Sequence, residues 1–250
     1  MQKKIEIKNL YKQFGPKIVL EDLNLDIYEG EILCILGKSG TGKSVVMKHL
    51  VGILEPDQGD IIVDNTSYIH ANEKTKVDIE KKYGILFQGA ALFDSMNVYD
   101  NVAFGLRRQK IGESEIKTIV TDLLTEVGLR GIEDKMPGEL SGGMQKRVGL
   151  ARSIALKPEI MLYDEPTTGV DPITAMAVNA LITKMRERFN ITSIVITHDM
   201  KSASIIADRI AMLYQGNIIY TGTPEDFKQT DNPYVRQLAE GRAHRPIPIQ

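Results

Sequence analysis

The clearest chemical signal in the sequence is a glycine-rich run that ends in Lys-Ser. It matches the phosphate-binding pattern G-x-x-x-x-G-K-[ST]. Glycines let backbone N–H groups turn inward around phosphate oxygens, and a helix that begins at such a loop directs its positive end at them. A buried strand before the run and a helix after it favour this interpretation over a glycine-rich turn that binds nothing. The residues are Gly37, Lys38, Ser39, Gly40, Thr41, Gly42, Lys43 and Ser44.

Two residues of this loop have assignable chemistry. In a loop of this kind, Lys43 neutralises the β- and γ-phosphates of a nucleotide, and the Ser44 hydroxyl is a ligand for Mg²⁺. The sequence therefore predicts a Mg²⁺–nucleoside triphosphate site.

A pair of carboxylates, Asp164 and Glu165, follows the apolar run 160–163. The carboxyl ends of parallel strands open onto the ligand crevice of a sheet. We therefore expect Asp164 in the Mg²⁺ shell and Glu165 as the general base that polarises the attacking water. An Asp-Glu pair after a strand is more often a solvated turn, but the phosphate-binding loop upstream favours the catalytic interpretation.

The elements that position these groups follow from the spacing of apolar residues. Short apolar runs predict buried strands at 31–36, 160–163 and 194–196, and helical spacing predicts helices at 113–127 and 175–189. Strands that alternate with helices predict an α/β fold with a mainly parallel sheet covered on both faces. The opening residues also show β patterning, and a hairpin is predicted around 215–217. After Pro224 the periodicity fades.

Composition limits the class of protein. The 250 residues include 31 basic and 33 acidic side chains, a net charge of −2, and 42% hydrophobic residues. These values exclude wholesale disorder and argue against a dedicated nucleic-acid binder, which usually carries a basic face. The single cysteine, Cys34, allows no intramolecular disulfide. No apolar run reaches the ~18 residues of a membrane helix, and the N-terminus lacks signal-peptide patterning, so we expect a cytoplasmic protein.

Three further motifs lead to a family resemblance. They are the segment LSGGMQKR at 140–147, Gln88 after an apolar run, and His198 after the strand at 194–196. In their order along the chain, together with the phosphate-binding loop and the carboxylate pair, they resemble the ATP-binding cassette (ABC) ATPases over nearly the whole chain. The resemblance implies Mg²⁺-dependent ATP hydrolysis.

The same resemblance implies the architecture. The expected fold is a P-loop NTPase (RecA-like) core with an N-terminal antiparallel β subdomain and an α-helical subdomain. The implied divisions are a core at 1–89 and 154–226, a helical subdomain with the signature motif at 90–153, and a C-terminal tail at 227–250.

The resemblance also implies roles for single residues. Phe14, in preference to Tyr11, corresponds to the aromatic that stacks on adenine; the alternative role for Phe14 is a small hydrophobic plug. Gln88 corresponds to the residue that contacts Mg²⁺ and the attacking water; the alternative for a lone Gln after a strand is a surface polar group. His198 corresponds to the switch histidine at the γ-phosphate. The expected catalytic residues are thus Glu165, His198, Gln88 and Lys43, and the expected metal ligands are Ser44, Gln88 and Asp164.

The signature segment bears on oligomeric state. Ser141, Gly142 and Gly143 stand at a predicted helix start with Ser141 as N-cap, and such an end attracts phosphate. The resemblance implies that this segment closes over the ATP of another subunit and that Asp171 couples the two sites. Since the chain has one phosphate-binding loop and one signature, two complete sites require a second copy or a paralogue, and we expect a homodimer.

The subfamily is indicated by the stretch 88–104, by Met144 in place of the common Gln of the signature, and by the tail at 232–248. These resemble the ATPase of the maintenance-of-lipid-asymmetry transporters. That resemblance implies phospholipid transport with an integral membrane permease and an MCE-domain lipid-binding protein, and it allows a small regulatory subunit. The ATPase would lie on the cytoplasmic face of the inner membrane. The alternatives are a solute importer of the amino acid or polyamine type and, less favoured, a soluble ABC ATPase acting on DNA or ribosomes.

The region before the signature also holds two candidate contact surfaces. Its apolar residues are either a groove for a short helix of the permease or part of the core. The basic cluster Arg107, Arg108 and Lys110 is either a site for anionic headgroups or a solvated helix face, and the second is favoured. The apolar residues are Leu92, Phe93, Met96, Val98, Val102 and Phe104.

Overall fold

The computed structural model describes residues 2–38 and 40–240. Within that range the chain forms two compact units, one built from residues up to Glu80 and from Thr192 onward, the other from Lys81–Ile191. In chain order the elements are β1 (Lys3–Phe14), β2 (Lys17–Tyr28), β3 (Ile32–Leu36), α1 (Lys43–Leu50), β4 (Gln58–Val63), β5 (Thr66–Ser67), α2 (Glu73–Glu80), β6 (Tyr83–Leu86), α3 (Val98–Arg108), α4 (Glu113–Glu126), a 3₁₀ turn (Pro137–Glu139), α5 (Gly142–Ile154), β7 (Ile160–Asp164), α6 (Pro172–Phe189), β8 (Thr192–Thr197), α7 (Met200–Ile206), β9 (Arg209–Tyr214), β10 (Asn217–Gly222), α8 (Pro224–Gln229) and α9 (Pro233–Glu240).

The first unit contains the antiparallel sheet and the central strands of the fold. The antiparallel sheet has the order β2-β1-β4-β5, and a second sheet brings β10, β9, β3 and β8 side by side. Strand β3 pairs in parallel with both β8 and β9. All residues of β3 and β8 are buried, as expected for strands covered on both faces. Burial raises the pKa of the Cys34 thiol, which packs inside β3.

The α/β fold with a mainly parallel sheet and an N-terminal antiparallel β subdomain is confirmed. The predicted hairpin is also present, since β9 and β10 pair antiparallel around Gln215 and Gly216. Both turn residues have positive φ, 46° and 80°, which is the conformation of a type I′ hairpin turn.

The C-terminal helices α8 and α9 are a feature that the sequence pattern did not indicate. Thr223 caps α8 in a reciprocal box with Asp226. Phe227 and Val235 are fully buried, so this part of the predicted tail is packed structure. Each helix spans only two turns, too few for a helical period to show in the sequence. Residues 241–250 lie outside the described range.

The second unit contains the parallel pair β6 and β7 with helices α3 to α6. The two predicted helices are confirmed as α4 and α6, and Gly128, at φ 70°, follows the C-cap of α4. Among the described residues, no helix is both long enough and apolar enough to span a bilayer.

Candidate functional site

The phosphate-binding loop joins β3 to α1, and its shape depends on glycine. A Cβ at Gly37 would lie 2.7 Å from the Leu213 carbonyl oxygen and 2.8 Å from Thr41 Oγ1. Gly42 has φ 103°, and a Cβ there would lie 3.1 Å from the Val19 carbonyl oxygen. A side chain at Gly37 would collide with backbone, and one at Gly42 would be both crowded and strained by the positive φ, so the shape of the loop depends on glycine at these positions.

The Lys43 side chain is buried within this loop. Its ammonium donates to the carbonyl oxygens of Gly37 at 2.7 Å and Lys38 at 2.9 Å. The Thr41 hydroxyl also donates to the Lys38 oxygen, at 2.9 Å. A buried cation held by two carbonyl oxygens of the loop, followed by the exposed Ser44 in the first turn of α1, fits a phosphate with a bound divalent cation. Ser39 lies outside the described residues.

His198 lies beside the phosphate-binding loop at the same sheet edge. Leu36 of β3 and Thr197 of β8 are in register as parallel partners. Gly37 and His198 therefore leave adjacent strands at their carboxyl ends, where ligands bind in sheets of this kind. The next residue, Asp199, caps α7 by accepting from Lys201 N at 2.9 Å. His198 itself is exposed.

In the second unit, the same geometry places Gln88 near Asp164. Leu86 of β6 is in register with Tyr163 of β7, so both strands end at one edge. Asp164 is the last residue of β7, and the exposed Gln88 lies two residues beyond β6. An amide and a carboxylate at one edge suit oxygen ligation of Mg²⁺.

Glu165 adopts a left-handed conformation with φ 46°. For a residue with a side chain this costs about 1 kcal/mol. Three donors from two residues hold it: Thr168 N to the carbonyl oxygen at 3.2 Å, Thr168 Oγ1 to Oε2 at 3.0 Å, and Lys146 Nζ to the carbonyl oxygen at 3.3 Å. The two bonds to the carbonyl oxygen hold the backbone, and the bond from the Thr168 hydroxyl orients the carboxylate, as a general base requires.

Sequence reasoning missed both supports of Glu165. Burial lowers the pKa of Lys146, while the charge of Glu165 opposes that shift. A lysine on the buried face of α5 was the available signal, because charged residues are rarely buried unless paired.

A third unpredicted support lies after Gln88. Ala90 and Ala91 have φ 60° and 48°, again unusual for residues with a side chain. The Arg152 guanidinium donates to the Ala91 carbonyl oxygen at 2.8 Å and to that of Ala90 at 2.9 Å. Arg152 is thus a clamp on the loop that carries Gln88. It lies 61 residues from Ala91 in sequence, so no local pattern could reveal it.

The signature segment begins α5 as predicted. The hydroxyl of Ser141 accepts from Met144 N at 3.3 Å, which confirms Ser141 as N-cap. Ser141 and Gly142 are exposed. Gly143 is buried, and a Cβ there would lie 2.4 Å from Thr174 Cγ2, so α5 approaches α6 as closely as glycine allows.

Asp171 is the N-cap of α6 and lies in the same unit. Its carboxylate accepts from Ile173 N and Thr174 N, both at 3.0 Å. The Thr174 hydroxyl also donates to it, at 2.5 Å. These hydrogen bonds hold the pKa of Asp171 below its usual value. Thr174 therefore connects Asp171 with the signature glycine Gly143.

Phe14 is the accessible aromatic of the two candidates at the end of β1. It is 48% exposed, whereas Tyr11 is half-buried and its hydroxyl is 3.1 Å from Gln13 Oε1. An exposed ring fits a ligand platform better than a hydrophobic plug. The role of Phe14, like those of the other site residues, stays a prediction.

The apolar residues of the first candidate contact surface lie partly in the core and partly on the exterior, and the basic cluster of the second is exposed. Val98 and Val102 are fully buried, whereas Phe93 is 41% exposed. Arg107 pairs with Asp100 at 2.8 Å and Glu113 at 3.0 Å, which favours the solvated helix face over a headgroup site.

The family model and the relatives that match this chain all describe ATP-binding proteins of transport systems. The family model described as ABC transporter matches residues 20–168, more than half of the chain. The chain is 45% identical over 244 residues to the probable ribonucleotide transport ATP-binding protein mkl of Mycobacterium leprae, covering 97% of this chain and 70% of that protein. It is 39% identical over 247 residues to the intermembrane phospholipid transport system ATP-binding protein MlaF of Haemophilus influenzae, covering 98% and 94%.

Solved structures show the same architecture. The chain superposes on cbiO1 of Clostridium perfringens, part of the ABC transporter complex cbiONQ, with TM-score 0.85, 29% identity and 95% coverage of each chain. It also matches a dimeric ATP-binding cassette in a post-hydrolysis state bound to ADP and Pi, with TM-score 0.80 and 29% identity, covering 88% of this chain and 98% of that one.

Proposed function

The chain belongs to the ABC transporter family and is an ATP hydrolase, and we propose that it powers phospholipid transport across a bacterial envelope through a membrane permease. The observation that carries the substrate class is the end-to-end match to MlaF, which covers 98% of this chain and 94% of that protein. Met144 in the signature agrees with this subfamily.

ATP supplies the phosphoanhydride bond whose hydrolysis drives transport, and the residues of this chain bind and orient it. Lys43 neutralises the phosphates, and Phe14 stacks on the base. Glu165 takes a proton from the attacking water, and His198 contacts the γ-phosphate. Ser44, Gln88 and Asp164 would hold Mg²⁺ through oxygen atoms, the donors that this cation prefers.

The active form in this proposal is a homodimer with ATP at the interface. One chain carries one phosphate-binding loop and one signature, so each ATP needs the signature of a second copy. The exposure of Ser141 and Gly142 supports this arrangement, as does the dimeric state of one structural relative. ATP would close the dimer and hydrolysis would release it.

The helical subdomain at 90–153 would contact the permease, and the ATP-binding core would comprise 1–89 and 154–226. The assembly would include an MCE-domain lipid-binding protein, with this chain on the cytoplasmic face of the inner membrane. The mkl relative, a probable ribonucleotide transport protein that is 45% identical, favours a second candidate substrate, a ribonucleotide.

The test is affinity purification of the tagged chain from its own membranes in mild detergent, with proteins and lipids identified by mass spectrometry. The proposal predicts a permease, an MCE-domain protein and bound phospholipid. A permease for a small solute, with neither an MCE protein nor phospholipid, would contradict it.

A matched pair of variants locates the permease contact. Phe93 in the second unit and Val77 on α2 are 41% and 45% exposed. We expect Phe93→Asp to lose the permease and Val77→Asp to retain it. Retention by both would show that the contact lies elsewhere.

A further inference from the structure

The Phe14 ring can act as a base platform only if its orientation relative to the phosphate-binding loop is fixed. Phe14 is the last residue of β1 and pairs with Lys17 across the end of the β1–β2 hairpin. Phe14 is 48% exposed, so burial in the core does not fix the orientation of its ring. Some other group must therefore hold it.

Asp57 contacts all three residues that precede Phe14. Its Oδ2 accepts from Gln13 N at 2.8 Å, and its Oδ1 accepts from Lys12 Nζ at 2.9 Å. Its own backbone N–H donates to the Tyr11 carbonyl oxygen at 3.0 Å. The hydrogen bonds to Gln13 and Lys12 hold the pKa of Asp57 below its usual value, so the carboxylate is anionic at neutral pH.

Lys12 completes a brace between the hairpin and the segment before β4. Its ammonium lies over the Phe14 ring, 5.5 Å from the centroid, and donates to the Glu55 carbonyl oxygen at 2.9 Å. Only 13% of the Lys12 side chain is exposed, so its position is defined by these contacts. A cation near an aromatic ring is attracted by the ring quadrupole.

The segment that supplies Glu55 and Asp57 is itself tied to α1. Leu54 N donates to the Lys48 carbonyl oxygen at 3.1 Å, and the buried His49 is 2.7 Å from the Leu54 oxygen through Nδ1. Because a carbonyl oxygen only accepts, Nδ1 carries the proton. Since α1 begins at Lys43, the hairpin tip and the phosphate-binding loop share one frame.

We propose that Asp57 and Lys12 are positioning residues for nucleotide binding, which hold Phe14 at a fixed place relative to the phosphate-binding loop so that the base stacks while the phosphates are bound. This inference rests on the proposed stacking role of Phe14. It assigns no contact with phosphate to either residue. Their effect should therefore depend on the presence of a base in the ligand.

The experiment compares the dissociation constants of ATP and of inorganic tripolyphosphate for the full-length chain by titration calorimetry. Phe14→Ala is the reference variant, Asp57→Asn and Lys12→Met are the test variants, and the exposed Glu29→Gln is a charge-matched control for Asp57. We expect Phe14→Ala to weaken ATP binding about tenfold, the scale of one base–aromatic stack. We expect Asp57→Asn to weaken it about threefold, with tripolyphosphate binding unchanged in every variant.

The outcomes separate the two claims. Selective loss of ATP affinity in Phe14→Ala and in the test variants supports the inference. If Phe14→Ala has the effect and Asp57→Asn and Lys12→Met do not, the brace has no positioning role, and the stacking proposal stands. If Phe14→Ala leaves ATP binding unchanged, the stacking role itself fails and the inference fails with it. If Asp57→Asn weakens the binding of ATP and of tripolyphosphate equally, Asp57 acts on the phosphate-binding loop and the inference is overturned. If Asp57→Asn does not fold, Lys12→Met provides the same comparison.

Discussion

The loops that follow β3 and β7 depend on different structural constraints. The loop after β3 depends on missing side chains, since a methyl group at Gly37 would lie 2.7 Å from a backbone oxygen. The turn after β7 contains Glu165 at φ 46°, held by Lys146 and Thr168. Strand β6 pairs with β7, and the loop after β6 resembles the turn after β7, because Arg152 holds two alanines at positive φ.

Mutations in the two loops should therefore impair different steps, ATP binding in one case and turnover in the other. The cradle formed by the loop after β3 has no room for a side chain at Gly37, so a methyl group there should weaken binding of the phosphates. A loop held by side-chain clamps carries about 1 kcal/mol of backbone strain for each left-handed residue, which the clamps offset. Removal of a clamp should therefore leave ATP binding intact and disorient the residues that act during turnover.

The largest expected effect is at the cradle. Gly37→Ala should weaken ATP binding at least tenfold, since its Cβ would collide with the Leu213 carbonyl oxygen at 2.7 Å and Thr41 Oγ1 at 2.8 Å. The dissociation constant of a fluorescent ATP analogue measures this loss of affinity. The control is Gly138→Ala, where a Cβ meets no atom within 4 Å. Normal binding by Gly37→Ala would show that the loop can move to accommodate a methyl group at this position.

The second effect concerns the Arg152 clamp. Arg152→Met removes both donors to the Ala90 and Ala91 carbonyl oxygens but keeps an unbranched side chain. We expect kcat for ATP hydrolysis to fall about threefold to tenfold with little change in KM, because Gln88 loses its support. Steady-state kinetics measure both values.

The matched control for this variant is Arg108→Met, an exposed arginine on α3. A rise in KM without a fall in kcat would contradict the assignment of the clamp to turnover. Partial recovery of kcat in Arg152→Lys, which restores a donor, would support the assignment of the clamp to turnover.

The smallest effect concerns stability and pH in the first unit. Burial lowers the pKa of His49 from its ordinary value of 6.5, the bond to Leu54 opposes the shift, Lys12 lowers the pKa further, and Asp57 raises it. The unfolded chain binds a proton near pH 6.5 while the folded chain keeps His49 neutral, so His49 makes the free energy of unfolding fall as the pH drops below about 6.5.

We therefore expect His49→Gln to reduce the decline of the thermal midpoint between about pH 6.5 and 5, since it removes this proton uptake. His70→Gln, at an exposed histidine, should leave the decline as in the parent. An unchanged pH dependence in His49→Gln would show that His49 does not contribute to it.

The two kinds of loop also differ in how far the sequence predicts them. The cradle and the strands around it could be predicted, because glycine spacing and apolar runs encode them locally. Asp164, Glu165 and Ser141 could be placed at element ends for the same reason. The clamps Arg152 and Thr168 could not be predicted, because their roles depend on unusual φ values and, for Arg152, on a partner 61 residues away. For Lys146 the sequence offered a signal for burial, a lysine on the buried face of α5, but not for its partner Glu165. Helices α8 and α9 escaped prediction because each is only two turns long.

The central claim is that this chain hydrolyses ATP with Glu165 as general base, and Glu165→Gln tests it most directly. The measurement is ATP binding and single-turnover hydrolysis by the purified variant beside Lys43→Ala, which should lose binding itself. We predict that Glu165→Gln binds ATP as the parent does, hydrolyses it at least about a hundredfold more slowly, and accumulates as an ATP-bound dimer. Hydrolysis by Glu165→Gln at the parent rate would contradict the account.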